Sequence, residues 1–351
     1  MKNRLTNSAR RSRVFMTITL CSIMMLIISA CGSNSSDSSQ GKISEDKFNV
    51  VTSFYPIYEF TKAIGGDDVN VINLLPTGVE PHDWTPRSQD IVNTSKAGLF
   101  LYNGAGLEAW VPNFLKGLDK DSNVKAVEVS TGINLIDSEE EDHTHEDEAH
   151  DDHAHEGEEH DDHAHESEVQ EDDGHNHGSI DPHTWVSPKS ALVMAENIKN
   201  SLVEADPEHK AGYEERYGEL KQQLVDLDAK FTEQLSNVSQ KEIVVSHQAF
   251  GYLARDYGLT QHSIMGLSPD AEPTGQDIVK LANLVKEEGI RYIFFEELVS
   301  DKLAKTLASE AGVETMVLNP VEGLTQEQLE NGDNYFTLME KNLQNLVTAL
   351  Q

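Results

Sequence analysis

The sequence predicts an α/β protein of two lobes, each a parallel sheet flanked by helices, joined by one long rigid helix. Three observations predict it. Short apolar runs alternate with helix-length segments from Phe48 to Val129, and the alternation returns from Ile243 to Leu350. Strands separated by helices are joined by crossovers and therefore lie parallel. Between the two series, a charged stretch from Asp206 to about Leu235 has no Gly after Gly218. As a helix of about 30 residues it would span roughly 45 Å at 1.5 Å per residue, long for an element inside one lobe.

In chain order, residues 1–13 carry Lys2, Arg4, Arg10, Arg11 and Arg13 and no acid; residues 14–28 are apolar, and Ile28-Ser29-Ala30-Cys31-Gly32 follows. A basic head, a short apolar middle and small residues before a cut are the marks of an export signal. The apolar run falls short of the roughly 20 residues a membrane span needs; the alternative is a short anchor helix. The small residues before Cys31 resemble the lipobox of bacterial lipoproteins. That resemblance implies a signal peptide over 1–30, cleavage after Ala30 and a lipid, palmitate included, on Cys31. Two or more acyl chains would hold the protein stably at a membrane, where one would not. Residues 31–47, rich in Ser, Gly, Asn and Asp, read as a flexible tether.

The first lobe, 48–205, opens with a strand over 48–54, a helix over 57–64 and a strand over 69–75. A buried strand over 99–102, a helix over 107–118 and a strand over 126–129 follow. A helix over 187–203 closes the lobe. The linking helix, 206–237, starts at Asp206-Pro207, with Asp206 as N-cap and Pro207 at the first position. The second lobe, 238–351, has strands over 243–245, 263–266, 292–295 and 315–318, and helices over 248–257, 276–288, 302–311 and 335–350. Ligands in such folds sit beyond the carboxyl ends of strands. Side chains directly after strands are therefore the ones to consider.

The chain has 351 residues, 38% hydrophobic and 25% charged, enough to bury a core in each lobe. Its formal net charge of −34 excludes nucleic acid as a partner, since phosphate binding needs Lys and Arg, and draws cations instead. Both Cys, Cys21 and Cys31, lie near the N-terminus. The body thus has no disulfide framework, no CxxC redox motif and no thiolate metal site, and any metal must be held by His and carboxylate.

Residues 137–178 form a His- and acid-rich run. It holds His143, His145, His150, His153, His155, His160, His163, His165, His175 and His177, with twenty carboxylates between Asp137 and Asp173 and no Lys or Arg. The unit from His150 to Glu156 returns from His160 to Glu166. This composition predicts a disordered loop. Its neutral imidazoles predict low-specificity metal collection near neutral pH.

Five His lie outside the run: His82, His183, His209, His247 and His262. Glu80-Pro81-His82-Asp83-Trp84 and Asp181-Pro182-His183-Thr184-Trp185 echo each other as acid, Pro, His, any residue, Trp. Pro fixes the loop backbone, and Trp84 or Trp185 could wall one side of a site. His247 follows the run Ile243-Val244-Val245-Ser246, at the carboxyl end of a strand. Three neutral imidazoles and a carboxylate suit four-coordinate zinc, with bonds of about 2.0–2.2 Å. For the carboxylate, the residues leave Glu322, Glu296 and Glu297 open, each just beyond a strand. His209 and His262 read as surface or core residues.

From about Phe48 to Gln351 the chain resembles the zinc-binding lipoproteins of bacterial ABC importers, the cluster A-I or cluster 9 solute-binding proteins. The resemblance rests on Thr52-Ser53-Phe54-Tyr55-Pro56, the two Pro-His-x-Trp motifs, Val245-Ser246-His247-Gln248-Ala249-Phe250 and Leu318-Asn319-Pro320-Val321-Glu322-Gly323. It implies metal in the cleft between the lobes, held by His82, His183, His247 and Glu322, with Glu296 a structural or lobe-interface residue. It implies a monomer, lipid-anchored on the outer face of the cell membrane of a Gram-positive organism, that gives Zn2+ to an ABC permease and its ATPase and is not an enzyme. The family's manganese branch has a carboxylate where this chain has His247. Three nitrogens and one oxygen favour zinc, as does the His-rich insertion. Many members carry a disulfide in the second lobe, which this chain lacks. The rival readings are a secreted zinc hydrolase with a three-His site and a manganese-binding member of the same family. Nothing in the residues points to adhesion.

Overall fold

The computed structural model describes residues 41–137, 180–270 and 273–351. Two four-stranded sheets are built to one plan. In the first, β1 (Phe48–Thr52), β2 (Val69–Asn73), β3 (Leu99–Tyr102) and β4 (Lys125–Glu128) lie in the order β2-β1-β3-β4, and every pairing is parallel. In the second, β5 (Glu242–Val245), β6 (Thr260–Ser263), β7 (Tyr292–Phe295) and β8 (Glu314–Val317) repeat it as β6-β5-β7-β8. In each sheet the chain steps to one side of the first strand and then returns to its other side. A crevice therefore opens at the carboxyl ends of β1 and β3, and another at those of β5 and β7.

Helices α1 (Tyr55–Gly65), α2 (Ser88–Thr94), α3 (Val111–Lys116) and α4 (Pro188–Ala205) belong to the first half. Helix α4 starts at Ser187, whose hydroxyl accepts from the Lys189 N–H, with Pro188 at the first position, where the missing N–H costs nothing. The long helix is α5, Lys210–Ser236, of 27 residues. Its start departs from expectation. Pro207–His209 is a 3-10 turn, and the Asp206 carboxylate is taken by His209 Nδ1 at 2.7 Å and the Tyr213 hydroxyl at 2.5 Å, so it does not cap α5. Tyr213, Leu220, Leu224, Leu227, Phe231 and Leu235 form a narrow buried stripe along α5. Each such side chain contributes on the order of 1.5–3 kcal/mol. Arg216 on α5 bonds the Ile64 and Gly65 carbonyls at 2.7 and 2.9 Å and Asp68 at 2.7 Å, satisfying the orphan acceptors at the end of α1.

The second half adds α6 (Gly251–Tyr257), α7 (Gly275–Glu287), α8 (Lys302–Ala311), α9 (Gln326–Asn331) and α10 (Tyr335–Leu350). Helix α5 packs on α1 and α4 and also on α10, so it touches both halves. The largest buried cluster does the same, running from Val50, Phe54 and Trp185 through Phe231 to Val245, Tyr335 and Leu346. Separate clusters lie around Phe100 and Phe114 in the first half and around Val285, Ile293 and Leu307 in the second. Among the described residues no helix is long and apolar enough to cross a membrane. Residues 1–40, with Cys31, and 138–179, with all ten His of the run, lie outside the described residues. An isolated antiparallel bridge pairs Asp137 with Ile180 at the base of the latter segment.

Candidate metal centre

His247 stands two residues past the end of β5 and Glu296 directly after β7, the two strands that flank the crevice of the second sheet. Glu296 Oε1 accepts from His247 Nδ1 at 2.7 Å and from its backbone N–H at 3.3 Å. The crevice of the first sheet holds Ser53, Asn103 and Glu108 in the same way. The buried Glu108 carboxylate accepts from Ser53 Oγ at 2.6 Å and from the Asn103 and Gly104 N–H groups at 2.8 and 3.0 Å. Asn103 Nδ2 then donates to the Pro182 carbonyl at 2.9 Å, and Thr184 Oγ1 donates to Asn103 Oδ1 at 2.9 Å. The loop carrying His183 is thereby fixed over the first sheet.

Second-half atoms hold the same loop. Tyr252 OH donates to the Asp181 carbonyl, Trp185 Nε1 to the Pro320 carbonyl and Tyr335 OH to the Trp185 carbonyl, each at 2.7 Å. Gly251 packs so closely on Asp181 Oδ2 that a Cβ there would have no room. Asp181 Oδ1 accepts from the His183 backbone N–H at 2.9 Å and from His183 Nδ1 at 2.8 Å. His183 and His247 each donate Nδ1–H to a buried carboxylate, which orients the ring and turns Nε2 inward as the atom that binds a metal once it is free of its proton.

The two Pro-His-x-Trp motifs differ here. Glu80, at the place of Asp181, binds the His82 N–H with both oxygens at 3.0 Å, and the imidazole nitrogen it stands near is Nε2, at 3.9 Å. The tryptophans differ too. Trp185 lies with its ring 5.4 Å from that of His183 and edge-on to Phe54. Trp84 packs edge-on against Trp110.

Glu322 arrives by an unusual turn. Val321 has φ 59°, a left-handed conformation that a β-branched residue resists at a cost of about 1–3 kcal/mol. Asn319 Oδ1 accepts from the Val321 N–H at 2.7 Å, and Asn342 clasps Asn319 through its N–H and carbonyl at 2.8 and 2.6 Å. Glu297, left open as a ligand, instead accepts from Asn319 Nδ2 and Gln328 Nε2 at 2.7 and 2.6 Å. His209 and His262 are elsewhere, paired with Asp206 and Glu242.

The four side chains converge. His183 Nε2 is 3.1 Å from His82 Nε2 and 3.2 Å from His247 Nε2. Glu322 Oε1 is 3.4 Å from His183 Nε2 and 3.7 Å from the Nε2 of His82 and of His247. Donors on a tetrahedral zinc, at about 2.0–2.1 Å from the ion, stand about 3.3–3.4 Å apart. The cluster has nearly that size, and His82, His183, His247 and Glu322 can hold one metal ion together. Both Glu322 oxygens are buried without a hydrogen-bond partner, a costly state unless a cation sits beside them.

The electrostatics agree. Burial would lift the Glu322 carboxyl, but the imidazoles of His183, His247 and His82 beside it hold it well below the usual range. Burial would depress His247, but the charge and hydrogen bond of Glu296, reinforced by Glu322, push it up to about 10. His183 is likewise raised against burial by Asp181 and Glu322, whereas burial lowers His82. Burial, then the charge of Glu322, raises Glu80 to about 7. In the metal-free protein protons thus take the place of the cation.

Residues 50–349 match the family model described as zinc-uptake complex component A, periplasmic. The chain is 42% identical over 325 residues to the high-affinity zinc uptake system protein ZnuA of Bacillus subtilis, covering 93% of this chain and 94% of that protein. It is 39% identical over 333 residues to the zinc-binding lipoprotein AdcA of Streptococcus pneumoniae; the match takes in 94% of this chain and 60% of that longer protein. The crystal structure of the Zn(II)-bound ZnuA-like domain of the same AdcA superposes with a TM-score of 0.68 at 38% identity, covering 87% of this chain and 99% of that one.

Proposed function

The chain belongs to the family of zinc-uptake complex component A proteins, and from that premise we propose that it captures Zn2+ outside the membrane and presents it to an ABC permease and its ATPase for import. His82 and His183 from the first lobe, and His247 and Glu322 from the second, are the ligands in this reading. The observation that carries it is the convergence of three imidazole nitrogens and one carboxylate oxygen at tetrahedral spacing. Three nitrogens and one oxygen favour zinc over manganese. A carboxylate in the fourth position supports transport over hydrolysis, because a catalytic zinc keeps that position for water.

Boundaries at 48–205, 206–237 and 238–351 for first lobe, linking helix and second lobe belong to the same proposal. So do the lipid on Cys31, attachment to the outer face of a Gram-positive cell membrane, a monomeric state and the absence of enzymatic activity. The ten His of the run serve in it as an accessory collector. The test is calorimetry at neutral pH on protein whose residues 138–179 are replaced by an Asn-Gly turn, which the bridge at Asp137 and Ile180 accommodates. One tight zinc site is expected, with an anomalous peak at the zinc edge within bonding distance of all four ligands. No zinc binding in this variant would overturn the proposal.

A further inference from the structure

Four donors account for the proposed centre, yet a fifth, the carboxylate of Glu80, stands beside it. Glu80 Oε1 is 3.9 Å from His82 Nε2. Two donors can share an ion at about 2.0–2.1 Å only if they lie within about 4.1 Å of each other, and this pair does. Glu80 does not swing loosely in solvent. Its oxygens accept the His82 N–H, and Oε2 also accepts the Asp83 N–H at 3.4 Å, so it is held by the same loop as His82.

Exposure gives the order in which a cation meets these groups. The Glu80 and His82 side chains are 19% and 11% exposed, whereas those of His183, His247 and Glu322 are 0%, 0% and 1% exposed. An ion coming from water reaches Glu80 and His82 first. His82 Nε2 is also the shared member of the next set, 3.1 Å from His183 Nε2 and 3.7 Å from Glu322 Oε1. Asp181 could not do this. It occupies the same place in its motif, but it is fully buried and turned to Nδ1 of its histidine.

We propose that Glu80 is a transfer ligand: Glu80 and His82 together take the incoming Zn2+, and Glu80 then yields its place to Glu322 as the ion moves inward onto His183 and His247. In the first step a Glu80 oxygen and His82 Nε2 replace two waters of the hydrated ion. In the second, Glu322 Oε1 and the Nε2 atoms of His183 and His247 displace Glu80 and the remaining waters, and any protons on those nitrogens leave to solvent. Release runs the same steps backwards. This inference rests on the four-ligand reading above.

The test is stopped-flow binding of Co2+, whose intense visible absorption in a tetrahedral site reports arrival at the four ligands, in the full chain and in Glu80→Gln. Gln keeps the volume and an oxygen for the His82 N–H but loses the charge that holds an ion. The association rate is expected to fall about tenfold at low ionic strength. The thermal midpoint of the metal-free protein should stay within a degree or two, and the final Co2+ spectrum should be the same. An association rate within twofold of the parent, with any loss confined to dissociation, overturns the transfer role and leaves the four-ligand reading standing. If the parent itself gives no tetrahedral Co2+ spectrum, both fail.

Discussion

Replacing Glu296 by Gln separates two effects of one carboxylate. Gln keeps the volume and can still accept from His247 Nδ1, at 2.7 Å in the parent, but it loses the charge. Losing a group that orients a metal-bound histidine costs about 10- to 100-fold in affinity. The same charge, however, is a main reason that the metal-free protein holds a proton on His247, whose pKa is pushed up to about 10. Zinc must displace that proton. Below the pKa, the parent's affinity therefore falls about tenfold for each unit the pH drops. In Glu296→Gln the pKa moves down toward its ordinary value of about 6.5, and this dependence disappears between pH 9 and pH 7. The variant should be about 10- to 100-fold weaker at pH 9. Its deficit should shrink by roughly tenfold per unit and be lost or reversed near pH 7. Competition with a chromophoric chelator at pH 7, 8 and 9 measures this, with the His run replaced by the short turn. A deficit that stays constant or widens as pH falls would refute the reasoning.

Other expectations follow from the same geometry. Glu322→Ala opens the fourth position and should weaken zinc by at least about 100-fold, since three His Nε2 atoms are left without their anion; calorimetry reads it. His247→Glu adds an oxygen donor and a negative charge beside Glu296, and should move the Zn2+ to Mn2+ preference toward manganese in competition binding. Tyr335→Phe leaves the buried Trp185 carbonyl without its donor. It should cost about 1–3 kcal/mol in urea unfolding while the zinc ligands remain in place.

Much of this architecture is legible in the residues, because each sheet's inner strands are continuous apolar runs. The strands over 99–102 and 292–295 fall where expected, as do the helices over 302–311 and 335–350. Strand β6 lies over Thr260–Ser263 and not 263–266, because Thr260-Gln261-His262-Ser263 is a polar edge strand with no apolar run to mark it. Helices α2 and α9 escape notice because seven and six residues are too few to show a period. His247 can be read from its place after a strand. Glu322 cannot, since a valine at positive φ, held by Asn319 and Asn342, aims it. Asp181 is in plain sight two residues before His183, yet nothing local distinguishes it from Glu80. Gly251 and Tyr252, far along the chain, help set its position.

The three buried hydrogen bonds that tie the His183 loop to Tyr252, Pro320 and Tyr335 have a consequence for folding. Trp185 completes its interior with second-half atoms, and α5 lays its apolar stripe against both halves. Neither half, expressed alone, has a finished core. The described residues, 41–137, 180–270 and 273–351, fall in one compact unit, and unfolding should be a single cooperative transition with equal calorimetric and van't Hoff enthalpies. A bound cation between donors from both halves would raise that melting temperature as a whole, so metal occupancy can be followed by heating the protein, with no probe at the site.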